Sequence, residues 1–211
     1  MTPLAATFLA LTAVAAGADW AAVAASARKL EYVAKPGVMV GLIAVALAIR
    51  PVNLVERWLF VVALMLGLAS DVFLMLPRDL FLAGLVAALV EHLAYIAGFL
   101  TREVRASWLL AALLIGLVSV AVFLPPIYRA LRRTHPSLVT PVLFYVAVFV
   151  VMVARAGGTG SPIAVAGALL FFYSDAILAW NRFVKPLRFG RIVNIVPYHV
   201  GQALLVLSLL T

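Results

Sequence analysis

Residues 167–183 read GALLFFYSDAILAWNRF, an apolar run long enough to cross a lipid bilayer but interrupted by Asp175. A charged side chain at the centre of a membrane-spanning helix costs roughly 2.5–3.5 kcal/mol on insertion scales, so its presence there points to a functional site. Residues 67–76, GLASDVFLML, carry the same Ser-Asp pair in a second apolar run. We therefore expect Asp71 and Asp175 to belong to one site.

The composition is that of an integral membrane protein. Of the 211 residues, 66% are hydrophobic and 11% are charged, whereas soluble domains contain about 45–50% apolar and about 25% charged residues. The absence of cysteine excludes disulfide frameworks and thiolate metal sites. The net charge of +8 fits basic loops that orient the chain in a membrane better than binding of nucleic acid. We predict an all-α integral membrane protein with a single polytopic domain over residues 1–211.

Eight apolar runs are long enough to form transmembrane helices. The loops between them are short, so neighbouring helices are expected to run antiparallel. The first run lacks the basic segment of a secretion signal, and we expect it to be retained as a span. The predicted spans cover residues 3–26, 33–49, 54–76, 79–100, 106–124, 138–155, 162–183 and 191–210.

The basic residues predict the orientation of the bundle. Eleven of the sixteen Lys and Arg residues lie around the loops after spans one, three, five and seven, and five lie on the other side. The positive-inside rule places the eleven in the cytoplasm and both termini outside. These eleven residues are Arg28, Lys29, Lys35, Arg78, Arg129, Arg132, Arg133, Arg182, Lys185, Arg188 and Arg191.

A weak internal repeat relates the two halves of the chain. Asp71 and Asp175 are 104 residues apart, and His92 and His199 are 107 residues apart. The similar offsets indicate two parallel four-helix repeats, residues 1–105 and 106–211, related by an axis along the membrane normal. Coincidence within an Ala- and Leu-rich sequence is the alternative, because no longer stretch of identity supports the offsets.

Most polar residues within the spans are predicted to lie in the cytoplasmic half. At about 1.5 Å per residue, Asp71 lies roughly 8 Å and Asp175 roughly 12 Å from the cytoplasmic ends of their spans. Unsatisfied polar groups in hydrocarbon cost several kcal/mol, so these residues are expected to converge on one inward-facing polar cavity. The other members of this set are His199, Tyr198, Gln202 and Lys35, with Glu91, His92 and Tyr95 deeper in span four.

Each of these residues also has a structural interpretation. Either aspartate could pair with Lys35 or Arg182 and simply join two helices. Histidines on apolar helices are more often packing residues than ligands, and tyrosines such as Tyr145 often do no more than donate hydrogen bonds between helices. No Gly-x-Ser-x-Gly elbow surrounds Ser70 or Ser174, which excludes a serine nucleophile of that kind.

Two neighbouring carboxyl groups suit acid–base hydrolysis. In a low dielectric they do not both ionise, so the pair offers a general acid and a general base at once. Glycosidases use such pairs to pass through an oxocarbenium-like transition state. A vinyl ether follows related chemistry, because protonation at carbon gives an oxocarbenium ion to which water adds. This route requires no metal or cofactor, although the residues alone permit it rather than select it.

Several stretches together resemble a known family, the YhhN-like lysoplasmalogenases. The resemblance covers nearly the whole chain in order and spacing, and it rests on short motifs whose combination is fairly specific. They are Lys35-Pro36, GLASDVFLML at 67–76, FLAGLVAALVEHLAYIAGF at 81–99, GALLFFYSDAILAWNRF at 167–183 and PYHVGQALLVLS at 197–208. Two departures are Glu91, where a small apolar residue is expected, and the pair Tyr198-His199, where the family has a more aromatic pair.

The resemblance implies an activity and a set of site residues. Members of this family cleave the vinyl ether of lysoplasmalogens, releasing a fatty aldehyde and a glycerophospho-alcohol. The resemblance implies that Asp71 and Asp175 are the catalytic pair. It also implies that a lysophospholipid is the substrate and that membrane lipids are the other partners. We expect Lys35 or a loop arginine to contact the phosphate, His199 with Tyr198 to position water, and the protein to lie in a bacterial inner membrane. The implied substrate-binding residues are Lys35, His92, Tyr95, Asn181, Tyr198, His199 and Gln202.

Two other functions remain open from the sequence. A zinc-dependent lipid amidase or esterase would use His92, His199 and an aspartate as ligands, although no two histidines share a helix at i, i+4 spacing. A small carboxylate-based transporter would also place acidic residues near the middle of the membrane within parallel repeats.

Overall fold

The computed structural model describes all 211 residues and confirms the predicted fold class, with eight helices long and apolar enough to cross a membrane. A π-helical segment, Trp180–Val184, extends α7, one 3₁₀ turn precedes α6, and another follows α8. The chain is therefore a polytopic, all-helical integral membrane protein. The helices are α1 (Pro3–Ala24), α2 (Arg28–Ala48), α3 (Leu54–Met75), α4 (Phe81–Phe99), α5 (Ala106–Thr134), α6 (Val139–Gly158), α7 (Pro162–Ala179) and α8 (Gly190–Leu207).

The helices form four antiparallel hairpins, α1–α2, α3–α4, α5–α6 and α7–α8, each packed along its length. Contacts between hairpins close a ring in the order α1, α2, α3, α4, α6, α7, α8, while α5 packs mainly on α6 and on the end of α7. The ring encloses the main apolar core. This core is one cluster of 30 buried residues to which all eight helices contribute, and its first and last members in the chain are Ala5 and Leu209. Large apolar side chains such as Leu110, Leu114 and Val118 are exposed on α5, as expected for a surface that faces lipid.

The hairpin α7–α8 depends on two facing glycines. A Cβ added to Gly201 would lie 2.9 Å from the carbonyl oxygen of Gly167, and one added to Gly167 would lie 3.0 Å from the carbonyl oxygen of Gly201. Small residues of this kind let transmembrane helices approach closely. The close approach fixes the position of α7, which carries Asp175, against α8, which carries Tyr198.

The predicted boundary of the fifth span is wrong. The sequence predicts that this span ends at residue 124, but α5 continues through Pro125 and Pro126 to Thr134. Proline in a helix interior costs about 3 kcal/mol. Packing offsets that cost, because Ile127 and Leu131 are buried in a second, smaller apolar cluster with residues of α6 and the π-helical segment. The side chain of Arg129 also donates to the carbonyl oxygen of Pro125 at 3.2 Å.

The second span also begins earlier than predicted. It starts at Arg28 instead of residue 33, and Pro36 lies inside the helix. Lys35 therefore lies within the helical wall of α2 and not at its first turn. This difference matters for the site, because the side chain of Lys35 points between the helices and is only 14% exposed.

We name the two ends of the bundle by their loops. The basic face holds the loops after α1, α3, α5 and α7, and the terminal face holds both chain termini and the loops after α2, α4 and α6. The prediction that the basic face is cytoplasmic stays a prediction, as does the internal duplication of residues 1–105 and 106–211.

Candidate active site

A cavity of about 380 Å³ lies in the half of the bundle near the basic face. Its walls are mostly apolar side chains from α3 to α7, and Phe149, Phe171 and Phe172 line its deeper part. Arg28, Glu31, Asn181 and Arg191 line it where the helices end, and we call these four residues the cavity mouth. The remaining polar lining residues are Tyr32, Lys35, Ser70, Asp71, Glu91, Tyr145, Ser174, Asp175, Asn194 and Tyr198.

Asp71 projects into this cavity from α3 and is held on both oxygens. Lys35 of α2 places Nζ 2.7 Å from Oδ1, and the Tyr198 hydroxyl of α8 donates to Oδ2 at 2.8 Å. The Asp71 side chain is only 5% exposed. An adjacent ammonium and a hydroxyl donor both favour the ionised form of a carboxyl group. Three helices thus position one carboxyl group, paired with a lysine, on the cavity wall.

Asp175 projects into the same cavity from α7 but has no cationic partner. The hydroxyl of Tyr145 on α6 donates to its Oδ2, and no Lys, Arg or His forms an ion pair with it. The two aspartates predicted to share a site therefore line one cavity in different surroundings. One carboxyl group is paired with a cation, and the other is not.

The serine before each aspartate anchors its helix to a neighbour. Ser70 donates to the carbonyl oxygen of Gly84 on α4 at 2.9 Å. Ser174 accepts from Asn194 Nδ2 of α8 at 2.9 Å, and the same nitrogen donates to the Ser174 carbonyl oxygen at 2.8 Å. Each Ser-Asp pair thus combines an interhelical hydrogen bond with a carboxyl group in the cavity.

Glu91 lines the cavity from α4 and belongs to a buried hydrogen-bonded chain. Gln202 Nε2 of α8 donates to Glu91 Oε1 at 2.6 Å, and the hydroxyl of Tyr95 donates to Gln202 Oε1 at 2.6 Å. Tyr95 and Gln202, two of the predicted substrate-binding residues, lie behind the cavity wall and not on it. They contact the cavity through Glu91.

The two intramembrane histidines lie in separate places outside the cavity lining. His92 Nδ1 forms a hydrogen bond with the carbonyl oxygen of Ala88, and its ring packs against Phe149 with centroids 4.0 Å apart. His199 Nδ1 accepts from Trp20 Nε1 at 3.1 Å, and its Nε2 lies 4.0 Å from Asp19 Oδ2. No three His, Asp or Glu side chains converge with the geometry of a metal site, so the zinc alternative lacks a ligand set here.

Asn181, the last predicted substrate-binding residue, lies in the π-helical segment at the cavity mouth. Its Oδ1 accepts the backbone N–H of Leu187 at 3.0 Å, which fixes the loop between α7 and α8. Beside it, Arg191 Nη2 contacts both carboxylate oxygens of Glu31 at 2.5 Å. The mouth therefore presents two guanidinium groups, one held by a carboxylate and one, on Arg28, without a hydrogen-bond partner among the protein side chains.

Three of the polar residues at the site are not predicted from the sequence. The sequence indicates Tyr145 only as a hydrogen-bond donor between helices, and it does not single out Asn194 or Glu31. Asn194 precedes Tyr198 by four residues, so the two share a face of α8, and that spacing is the one signal that would have identified it. For Tyr145 and Glu31 the sequence carries no comparable signal, because each meets its partner only through the packing of distant helices.

Comparison with known proteins connects this chain to a family. The model of the YhhN family matches residues 30–209. Lysoplasmalogenase TMEM86B of Mus musculus is 33% identical over 158 residues, which are 74% of this chain and 65% of that protein. The Homo sapiens protein of the same name is 32% identical over 150 residues, 70% of this chain and 62% of its own length.

The chain spans just under two thirds of the length of these curated relatives. No solved structure matches it. The family match covers most of the chain and includes all eight helices except α1 and the start of α2. The chain belongs to the YhhN family.

Proposed function

We propose that this protein is an intramembrane hydrolase that cleaves the vinyl-ether bond of lysoplasmalogens by acid–base catalysis between Asp71 and Asp175. The observation that carries the proposal is that both carboxyl groups line one cavity and that only Asp71 has a cationic partner. The names of the relatives, lysoplasmalogenase TMEM86B, supply the substrate class. The products are a fatty aldehyde and a glycerophospho-alcohol.

We propose a role for each aspartate from the difference in their surroundings. Asp175 has no cation beside it, and a neutral carboxyl group is the cheaper form in a low dielectric. It acts as the general acid and gives its proton to the alkenyl carbon farther from the ether oxygen. Asp71, held ionised by Lys35, acts as the general base and takes a proton from water as the water oxygen bonds to the other alkenyl carbon.

The hemiacetal formed in this way collapses on the same pair. Asp71 now carries the proton from water and gives it to the ether oxygen, while Asp175 accepts the proton of the hemiacetal hydroxyl group. The bond between carbon and ether oxygen breaks, the aldehyde forms, and both aspartates return to their starting states. One water molecule is consumed, and no metal, cofactor or covalent intermediate is required.

The cavity suits an amphiphile with one charged end. Lys35 is held by Asp71, so the phosphate of the substrate is expected at the mouth, beside Arg28 and Arg191. Guanidinium groups bind phosphate oxygens through charge-assisted hydrogen bonds. The alkenyl tail lies against the apolar walls between α3 and α7. In this orientation the vinyl ether, which follows the glycerol, is expected near the depth of the two aspartates.

The other half of the bundle supports a hydrolase over a carrier. Below the cavity, toward the terminal face, the interior is filled by fully buried side chains that include Phe60, Leu64 and Phe99. A carrier needs a path to both faces, whereas a hydrolase needs a pocket closed at one end. We also propose that the basic face, and with it the cavity mouth, lies in the cytoplasm and that the membrane is a bacterial inner membrane.

The experiment that tests the proposal uses purified protein in detergent. Incubation with a lysoplasmenyl lipid should release free fatty aldehyde, and an ester lysolipid with the same head group and chain length should release no fatty acid. Failure to produce aldehyde, or equal cleavage of the ester lipid, would contradict the proposal. Uptake of the intact lipid by sealed proteoliposomes without aldehyde would favour the transporter instead.

A further inference from the structure

A third carboxyl group, Glu91, faces the cavity and has no role in the scheme above. Glu91 is 1% exposed, and its Oε1 accepts a hydrogen bond from Gln202 Nε2. No protein group donates to its second oxygen, Oε2. A carboxyl group buried within a membrane-spanning helix is costly. A purely packing role would not call for a carboxyl group with a free oxygen.

The position of Glu91 repeats that of Asp71 one helical turn deeper. On α8, Tyr198 donates to Asp71, and Gln202, four residues later, donates to Glu91. On α3, Gly67 lies four residues before Asp71, and a Cβ added to Gly67 would lie 2.5 Å from Glu91 Oε1. Residues four apart lie on one face of a helix, about 6 Å apart along its axis. The two carboxyl groups are therefore stacked between the same faces of α3 and α8.

The hydrogen-bonded chain fixes which oxygen of Glu91 is available. Because the Tyr95 hydroxyl donates to Gln202 Oε1, the amide nitrogen of Gln202 must face Glu91. Glu91 Oε1 is thereby used as an acceptor, and Oε2 is left to meet a polar group in the cavity. The space for the carboxyl group exists because residue 67 is glycine. Three helices thus hold one carboxyl oxygen in a defined place below Asp71.

We propose that Glu91 is a positioning residue that holds the attacking water beneath the Asp71–Asp175 pair. The inference rests on the proposed hydrolysis, in which water is the one small polar reactant. Glu91 Oε2 accepts a hydrogen bond from one O–H of the water, and Asp71 accepts the other as general base, so that the oxygen lone pair points at the oxocarbenium carbon. Glu91 exchanges no proton in the cycle, and the proton balance given above is unchanged.

Partition between water and methanol measures this role directly. Methanol added to the assay competes for the oxocarbenium ion and gives methyl acetals, while water gives free aldehyde. In Glu91→Leu we expect kcat to fall by about 100-fold, as for a misplaced reactant, with KM unchanged. We also expect the ratio of acetal to aldehyde to rise severalfold, because the preferred site for water is lost. Glu103→Leu, the same substitution on the terminal face, should leave kcat and the ratio as in the wild type.

A second variant keeps the test decisive if Glu91→Leu does not yield folded protein. Glu91→Gln can still accept from Gln202, but its amide nitrogen would face the cavity and would donate to water where an acceptor is needed. We expect an approximately tenfold loss of kcat, the lower end for a misoriented group in proton transfer, and a raised acetal ratio.

An unchanged kcat and acetal ratio in either folded variant would overturn the inference and leave the proposed function intact. A loss of kcat with an unchanged ratio would also overturn it, because it would assign Glu91 a structural role only. If wild-type protein formed neither aldehyde nor acetal, the proposed function would fail, and this inference with it.

Discussion

Two buried ion pairs of equal length lie in opposite halves of the bundle. Lys35 Nζ lies 2.7 Å from Asp71 Oδ1 in the half near the basic face, and Arg102 Nη2 lies 2.7 Å from Glu56 Oε2 near the terminal face. Arg102 also donates to the carbonyl oxygens of Ser208 at 2.9 Å and Thr211 at 2.6 Å. Glu56 is 0% exposed, whereas Lys35 and Asp71 both line the cavity.

The difference shows what separates a structural ion pair from a candidate catalytic one. Arg102 joins the loop after α4 to α3 and to the C-terminus, and all of its contacts are protein groups. Lys35 joins α2 to α3, but its partner Asp71 faces the cavity, which Asp175 and Glu91 also line. Both pairs are buried and hydrogen-bonded, so burial and pairing do not distinguish them. The cavity beside Lys35–Asp71, and the other carboxyl groups that line it, make this pair the candidate for catalysis.

The largest expected effect on stability comes from breaking the pair near the terminal face. Arg102→Met leaves Glu56 buried without a partner, which costs about 3–5 kcal/mol for pairs of this kind. We expect a much lower midpoint of unfolding in detergent, measured by circular dichroism, while the rate of aldehyde release per folded molecule stays close to the wild-type value. An Arg102→Met variant that is as stable as the wild type but inactive would contradict the structural role of the Arg102–Glu56 pair.

The matching change near the basic face should affect activity instead. Lys35→Met removes the cation that holds Asp71 ionised and in place, and we expect kcat/KM to fall by about 100-fold, within the range for loss of a positioned acid–base group. The loss of stability should be smaller than for Arg102→Met, because water in the cavity can solvate Asp71. Chemical denaturation and the aldehyde assay on the same preparation measure both quantities. Unchanged activity would assign Lys35–Asp71 to structure alone.

Two glycines extend the comparison to packing. A Cβ at Gly98 would lie 2.6 Å from Phe60 Cε1 in the filled half, and a Cβ at Gly67 would lie 2.5 Å from Glu91 Oε1 beside the cavity. Gly98→Ala should lower the free energy of unfolding by about 1–3 kcal/mol, the usual cost of overpacking a core, with normal turnover. Gly67→Ala should mainly lower kcat, because the carboxyl group can move into the cavity. If the two variants lost stability and kcat to the same extent, the distinction between the filled half and the half with the cavity would be contradicted.

The smallest expected effect concerns the hydroxyl group that holds Asp175. Tyr145→Phe removes one buried hydrogen bond, worth about 1 kcal/mol of stability. We expect kcat to fall by about tenfold, a typical loss when one hydrogen bond that orients a reacting group is removed. Tyr128→Phe, a tyrosine that does not line the cavity, is the control and should show neither change. A fully active Tyr145→Phe would show that Asp175 needs no fixed orientation.

The helices could be predicted from the sequence because a bilayer requires apolar runs of fixed length. The error at Pro125 arose because local propensity argued for a loop, while the burial of Ile127 and Leu131 against other helices decided the outcome. The repeated Ser-Asp pairs identified the two aspartates that line the cavity, since a carboxyl group in an apolar run stands out. What the sequence could not show is which way Gln202 and Tyr95 point.

That limit has a physical cause. Helices in a membrane bundle are apolar on the lipid side as well as the core side, so polarity does not distinguish the two faces as it does in soluble proteins. The pairing of Glu91 with Gln202 joins residues 111 positions apart, and the position of His199 beside Trp20 joins residues 179 apart. Such contacts depend on how whole helices pack.

The most direct test of the account is the rate of aldehyde release by Asp175→Asn, a nearly isosteric change that cannot carry the proton of a general acid. With lysoplasmenyl lipid, and with folding verified by gel filtration, we predict a rate at least about 1,000-fold below the wild type, within the range known for general acid–base groups. Asp79→Asn, an exposed aspartate in the loop after α3, should retain the wild-type rate. An Asp175→Asn protein that releases aldehyde within a fewfold of the wild-type rate would contradict the central claim.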